Sequence, residues 1–263
     1  MSSPVEIAPR RVTAVLATVV ALLTLTSAAS SYWADRARNS RDDGFVAELR
    51  ESFVRLFDPN GEANVIAWYS ASTLLLCALL LGVITVVRKG ADKPYVAHWA
   101  ALSLTFLYLS VDEAALLHEM AVEPLRSRFG FGGLLYYAWV IPAGLAVLVF
   151  VAAFRGFLIH LPRTTAKRFV LAGGIFVSGA IGMESISGLL DDWYAQGRIA
   201  SDRHVIAFET VEEFMEMAGI VVFVHALLDY IGSEIRHLHV AVTNSPGAPE
   251  GDRLEGEPPP KGE

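Results

Sequence analysis

The apolar residues of this chain gather into long runs, not into the short alternations of a sheet. Six runs approach the roughly 20 residues that a helix needs to cross a bilayer, near 12–33, 63–87, 97–118, 134–158, 168–190 and 205–231. Between the first two, Phe45, Leu49, Phe53, Leu56 and Phe57 recur at helical spacing, with Glu48, Arg50, Glu51 and Arg55 among them. That is the pattern of an amphipathic helix lying on a membrane or capping a bundle. Asp58-Pro59-Asn60-Gly61 closes it as a turn. From about 243 the chain turns to Pro, Gly and Glu, as in Glu257-Pro258-Pro259-Pro260, a composition that remains disordered.

The pattern predicts an all-α fold, a polytopic membrane helix bundle of about six transmembrane helices. Its parts are a cytoplasmic N-terminus (1–11), a first transmembrane helix (12–33), an outer amphipathic segment (34–62), a five-helix membrane core (63–232) and a disordered cytoplasmic tail (243–263). Arg10-Arg11, the apolar run Val12–Leu25 and the small residues Thr26–Ser30 also have the make-up of a signal peptide. Its removal would leave five spans and the same orientation for the rest.

Positive charge sets the orientation. Arg88, Lys89 and Lys93 surround one short loop, and Arg155, Arg163, Lys167 and Arg168 another. The alternate loops carry only Arg126, Arg128, Arg198 and Arg203. The first pair is therefore expected inside, and Arg10 and Arg11 put the N-terminus inside too, giving an N-in/C-in topology. Segment 34–62 runs against the rule, with five arginines on the expected outer side beside seven acids.

Composition changes little in this picture except at one point. The chain has 263 residues, 53% of them hydrophobic, and a net charge of −7. It has no basic footprint for nucleic acid. One cysteine, Cys77, excludes a disulfide framework and a Cys-based zinc site within one chain. The exception is a set of acids inside the apolar runs: Asp112, Glu113 and Glu119, then Glu184, then Glu209, Glu212, Glu213 and Glu216. Each would cost about 2.5–3.5 kcal/mol near a bilayer centre, on the order of 20 kcal/mol for the eight facing lipid. They must face one another, face water, share protons or hold a cation.

Helical phase assembles them. Glu209, Glu212, Glu213 and Glu216 fit i, i+3, i+4, i+7 on the last span. Asp112 and Glu119 are seven apart, as are Glu184 and Asp191, with Ser187 between the latter two. The assumed orientation puts all three stripes in the outer half. Glu209, His118, Glu119 and Asp191 form an expected upper layer, and Asp112, Glu184, Glu212, Glu213 and Glu216 a lower one. Glu113 lies about 100° from Asp112 and is expected to serve another contact. Asp191 and Asp192 read as a solvated helix end.

Crowded carboxylates in a low dielectric repel one another, and a multivalent cation relieves that. Oxygen donors suit Mg, Ca or Mn, and imidazole brings in Fe and Zn. The expected metal ligands are Asp112, Glu119, Glu184, Glu209, Glu212, Glu213 and Glu216, with His118 as the nitrogen donor. On a continuous helix His118 would lie about 120° from Asp112, so it can join only from a looser outer end. The acidic segments contain no Glu-x-x-His of the di-iron bundle type. His98 reads as structural, and His225 with Asp229 as a helix contact near the inner surface. Tyr136, Tyr137 and Trp139 read as an aromatic belt opening the fourth span.

Three stretches carry a resemblance: Phe57–Ser70 (FDPNGEANVIAWYS), Leu107–Glu119 (LYLSVDEAALLHE) and Glu212–Gly219 (EEFMEMAG). Together they resemble a family of bacterial multipass membrane proteins with no assigned activity, over roughly 40–235. The resemblance implies the bacterial inner membrane and supplies no catalytic residues.

Three functions stay open. The first is a divalent-metal site serving hydrolytic or redox chemistry on a membrane-borne or periplasmic-side substrate. The second is a proton or cation transporter. The third is a structural or sensory partner without catalysis. The lipid bilayer is the one partner common to all three, and oligomeric state is not encoded legibly.

The orientation has a direct check. In intact cells with a Cys77→Ser background, an impermeant thiol reagent should label a cysteine placed at Ala195 and spare one at Ala91. Labelling of position 91 but not 195 inverts the topology.

Overall fold

The computed structural model describes residues 8–38, 44–59, 61, 64–201 and 203–235. The expected tail, 243–263, lies outside the described residues, as do Asn60 of the expected turn and most of the N-terminal segment. The helices are α1 (Pro9–Arg38), α2 (Phe45–Phe57), α3 (Val65–Gly90), α4 (Val96–Ala115), α5 (Val122–Phe129), α6 (Val140–His160), α7 (Arg163–Val177), α8 (Glu184–Ala195) and α9 (Arg203–Tyr230). Short 3₁₀ turns occupy Glu119–Ala121 and Gly133–Leu135. A π-helical turn, Ser178–Met183, joins α7 to α8, and another, Ile231–Ile235, follows α9. No strand occurs among the described residues.

Five helical stretches are long and apolar enough to cross a membrane: Pro9–Ala34, Val65–Gly90, Val140–His160, Arg163–Ala195 and Arg203–Ile235. The third expected span is not one helix. α4 and the Glu119–Phe129 segment meet at a bend of 71° and make a sixth crossing only if counted together. The fourth expected span begins later than 134, since α6 starts at Val140. The outer faces are apolar: Leu145, Leu148 and Val149 of α6 are all exposed. Hydroxyls inside the helices bond back to carbonyls one turn earlier, as Thr24 does to Val20, Thr85 to Leu81 and Thr105 to Ala101. This satisfies them without water.

α9 is the central helix, packed by α1, α3, α7 and α8. The main core is aromatic, with Trp99, Phe157, Phe169, Phe223 and Tyr230 all buried. Trp99 meets Phe157 edge-on and tilts over Tyr230, with centroids 5.0 and 4.9 Å apart. A smaller cluster joins Val20 and Leu23 of α1 to Ile66, Tyr69, Met217 and Val221. Here α1 is built into the bundle, and Thr13 bonds His225 at 2.8 Å. His225 and Asp229 make the expected helix contacts, Asp229 pairing with Arg168 at 2.5 Å. His98 is enclosed by the rings of Tyr95, Phe154 and Phe157.

α2 lies against the end of α1, with Phe53 facing Trp33 and Phe57, while Phe45 and Leu49 stay exposed. Asn64 ties the following turn to α3. Its Nδ2 donates to the carbonyls of Asp58 and Gly61, and its Oδ1 accepts from the Ala67 N–H at 2.7 Å. This is an N-cap that also holds the preceding loop.

Two glycines set how close α9 can come. A Cβ on Gly219 would stand 2.9 Å from both the Ala172 carbonyl oxygen and the Phe176 nitrogen. At Gly179, in the π turn, it would stand 3.0 Å from the Glu212 carbonyl oxygen and from Glu216 Cγ. Small residues allow such backbone approach between membrane helices. Gly219→Ala should destabilise the purified protein by about 1–3 kcal/mol through overpacking, seen as a lower Tm in detergent. Gly173→Ala, where a Cβ meets nothing within 4 Å, should not. Equal Tm values for the two variants would refute the close crossing.

Candidate functional site

The acids lie where α4 ends, α8 begins and the first half of α9 passes between them. α4 carries Asp112 and Glu113 in its last turn and stops at Ala115. Leu116 takes a left-handed conformation, φ 52°, and its N–H returns to the Asp112 carbonyl. A non-glycine residue there costs about 1–2 kcal/mol. The break corrects the continuous-helix expectation for this segment. The seven-residue phase from Asp112 does not reach Glu119, which sits exposed in the 3₁₀ turn. His118 is instead carried back beside Asp112, Nδ1 to Oδ2 at 2.9 Å. It belongs with the layer of Asp112, not with an upper layer of Glu119 and Asp191.

The His118 ring lies 4.7 Å from that of Trp139, and Trp139 Nε1 donates to Glu184 Oε1 at 3.0 Å. Glu184 opens α8 directly after the π turn. Across from it, buried Glu212 accepts from the Ser187 hydroxyl at 3.2 Å, with Glu184 beside it. One chain of contacts thus runs Asp112, His118, Trp139, Glu184, Glu212.

Glu213 and Glu216 complete the group from the next positions of the α9 stripe. The charges felt by Glu213 are those of Glu113, Glu184 and Glu209. Those felt by Glu216 are Glu213, Glu113, Glu184 and Asp112. Glu113 therefore faces the cluster, contrary to the expectation that it serves another contact. The α9 stripe divides: Glu212 turns to α8 and Glu213 toward α4. Asp112 Oδ1 and Glu213 Oε2 are buried with no hydrogen-bond partner among the described residues. Buried Glu209 lies toward the N-terminal end of the stripe, near Tyr137 and Glu213. Glu119 remains at the rim, where its charge reaches Glu113 and His118. Among the described residues, no three His, Cys, Asp or Glu side chains are arranged to hold one metal ion.

The aromatic segment before α6 also differs from the expected belt. Tyr137 donates its hydroxyl to Asp191, and the Gly133 N–H donates to Asp192 Oδ2 at 2.8 Å. Gln196 holds the other Asp192 oxygen at 2.7 Å. The two aspartates fasten the 133–139 segment to α8 and are not a merely solvated helix end. Gly188 permits the approach, since a Cβ there would meet Tyr137 Cδ2 at 2.9 Å. Tyr137 and Trp139 are the site residues that periodicity missed. Both precede α6, so no helical phase places them.

These features define a class: an all-helical protein with membrane-length apolar helices and an internal carboxylate–histidine cluster beside two aromatic hydrogen-bond donors. The chain belongs to the family described as domain of unknown function DUF8692, which matches residues 12–231, from α1 to the π turn after α9. No curated protein matches it, and no solved structure does.

Trp139→Phe keeps the ring beside His118 and removes the donor to Glu184. The expected loss is about 1–3 kcal/mol, the cost of unpairing a buried polar group, observed as a lower Tm in detergent. Trp68→Phe, at an exposed position, is the control. An unchanged Tm for Trp139→Phe would remove this contact from the site.

Proposed function

We propose that this is a multipass protein of the bacterial inner membrane, N-in/C-in, whose carboxylate–histidine site lies in the outer half of the bundle and binds a divalent metal ion. The observation that carries the reading is the environment of Glu213 and Glu216. Every charge they feel is another carboxylate, and the nitrogen group in the cluster is His118, bonded to Asp112. Packed acids without a cation must take up protons or bind a cation. The oxygens of Asp112, Glu113, Glu184, Glu213 and Glu216 suit Mg, Ca or Mn, and the imidazole extends the range to Fe and Zn. The donors stand in pairs, so binding requires side-chain rotation that draws them together.

A second reading has its own support. Carboxyl groups packed side by side, as Glu184 and Glu212 are, can bond to each other only where one keeps a proton, because an ionised carboxylate only accepts. A site that shares protons and joins helices needs no metal. Transport across the bundle is the weaker form of this reading. On the opposite side His98 is enclosed by aromatic rings, His225 is tied to Thr13 and Asp229 to Arg168.

Metal analysis of protein purified in detergent separates the two. At least one divalent ion per chain is expected. Chelator should lower Tm, and metal at a hundredfold excess over Kd should restore about 2.7 kcal/mol. Glu213→Gln should weaken metal binding at least about tenfold while the metal-free form melts no lower, since one like charge is gone. Absence of stoichiometric metal, with no Tm response to Mg²⁺, Ca²⁺, Mn²⁺, Fe²⁺ or Zn²⁺, would overturn the metal reading and leave the shared-proton site.

A further inference from the structure

A second polar site lies at the other end of the bundle, away from the acids. A cavity of about 630 Å³ opens where α3 passes into α4, α6 into α7, and α9 into its final π turn. Its walls include Arg88, Lys93, Tyr95, Trp99, His160 and Tyr230. Two buried donors behind its wall lack a partner among the described residues. Trp99 is fully buried, yet its Nε1 has no acceptor among the described residues. Arg88 donates through Nη1 to the Tyr230 hydroxyl at 2.6 Å and through Nη2 to the Pro94 carbonyl at 3.0 Å. Its Nε is buried and likewise without an acceptor among the described residues.

The backbone brings both signs to the cavity. Two helices begin at the cavity wall, α4 after Tyr95 and α7 after Pro162, and neither has a side-chain cap. The free N–H groups and the positive dipole end of a helix N-terminus favour an anion. The ends of α3, α6 and α9 also arrive here with the opposite polarity, and Arg88 and Lys89 offset that of α3. The acidic wall residue is Glu234, which is exposed. Tyr95 holds a left-handed φ of 66° and lies 4.8 Å from the His160 ring. A basic rim over an apolar aromatic floor fits a phosphate attached to something greasy, and the volume exceeds what a bare phosphate fills.

We propose that this cavity binds the phosphate of an anionic phospholipid headgroup, with Arg88, Lys93 and His160 facing the phosphate. The glycerol backbone then lies against the aromatic floor. The proposal rests on the membrane reading above and not on metal binding at the acidic site. Its location agrees with the orientation expected from charge, which puts this end on the cytoplasmic side, where anionic headgroups attract basic residues.

The test is a Tm titration of the full chain in dodecyl maltoside. The probes are dihexanoyl phosphatidylglycerol, dihexanoyl phosphatidylcholine and sodium phosphate. A saturable Tm rise is expected with the first, at concentrations where the other two have little effect. Lys93 is exposed, so Lys93→Gln should fold normally and bind dihexanoyl phosphatidylglycerol about fivefold more weakly. Lys93→Glu should bind it more weakly again. Equal responses to the two lipids, the same midpoint with sodium phosphate as with dihexanoyl phosphatidylglycerol, or unchanged affinity in both Lys93 variants would each overturn the proposal. Metal titration of the same preparations reads the acidic site separately, so either proposal can fail alone.

Discussion

A carboxyl group carried on a long apolar helix has to be enclosed, because neither hydrocarbon nor an aliphatic core can solvate it. α9 carries four, and the bundle is arranged around that demand. Gly219 and Gly179 let the α7 side come close enough to shield them. α8 then supplies Ser187 and Glu184 to Glu212. α4 ends early so that His118 can turn back, and the segment before α6 brings Trp139 to Glu184. Each of these departs from the plainest helical geometry, and each ends at the same set of acids.

The sequence made the long helices and the α9 stripe legible, because both depend on an unbroken 3.6-residue period. It did not reveal where that period fails. Nothing between Asp112 and Glu119 is Gly or Pro, so the left-handed Leu116 had no local signal, and the phase of Glu119 was carried past a helix that had already ended. Glu113 was set aside by the same wheel, although Glu213 approaches it from α9. Tyr137 and Trp139 looked like interfacial aromatics because their composition is the same whether the polar tip meets water or a carboxylate. Asp191 and Asp192 were mistaken for a solvated end because their partners come from more than 50 residues earlier in the chain.

The two ends of the bundle have opposite chemistry. Acids and aromatic donors gather where α4 ends and α9 begins. Arginine, lysine, histidine and uncapped helix starts gather where α4 begins and α9 ends. Aromatic rings fill the space between, with Phe106 stacked on Phe223 and Phe169 against the same ring. That packing separates the polar ends, so the charges of one are kept from the charges of the other.

The π turn at Ser178–Met183 works as a phase adjuster. Such a turn is what one inserted residue makes of an α-helix, with the surplus absorbed locally. It lets a single rod gain a residue between its packing face on α7 and its polar face on α8. With that surplus residue excised, the rod would run on as a plain α-helix and Glu184 would keep its direction relative to α7. The turn is therefore a place where the chain can carry an extra residue without moving the acidic site.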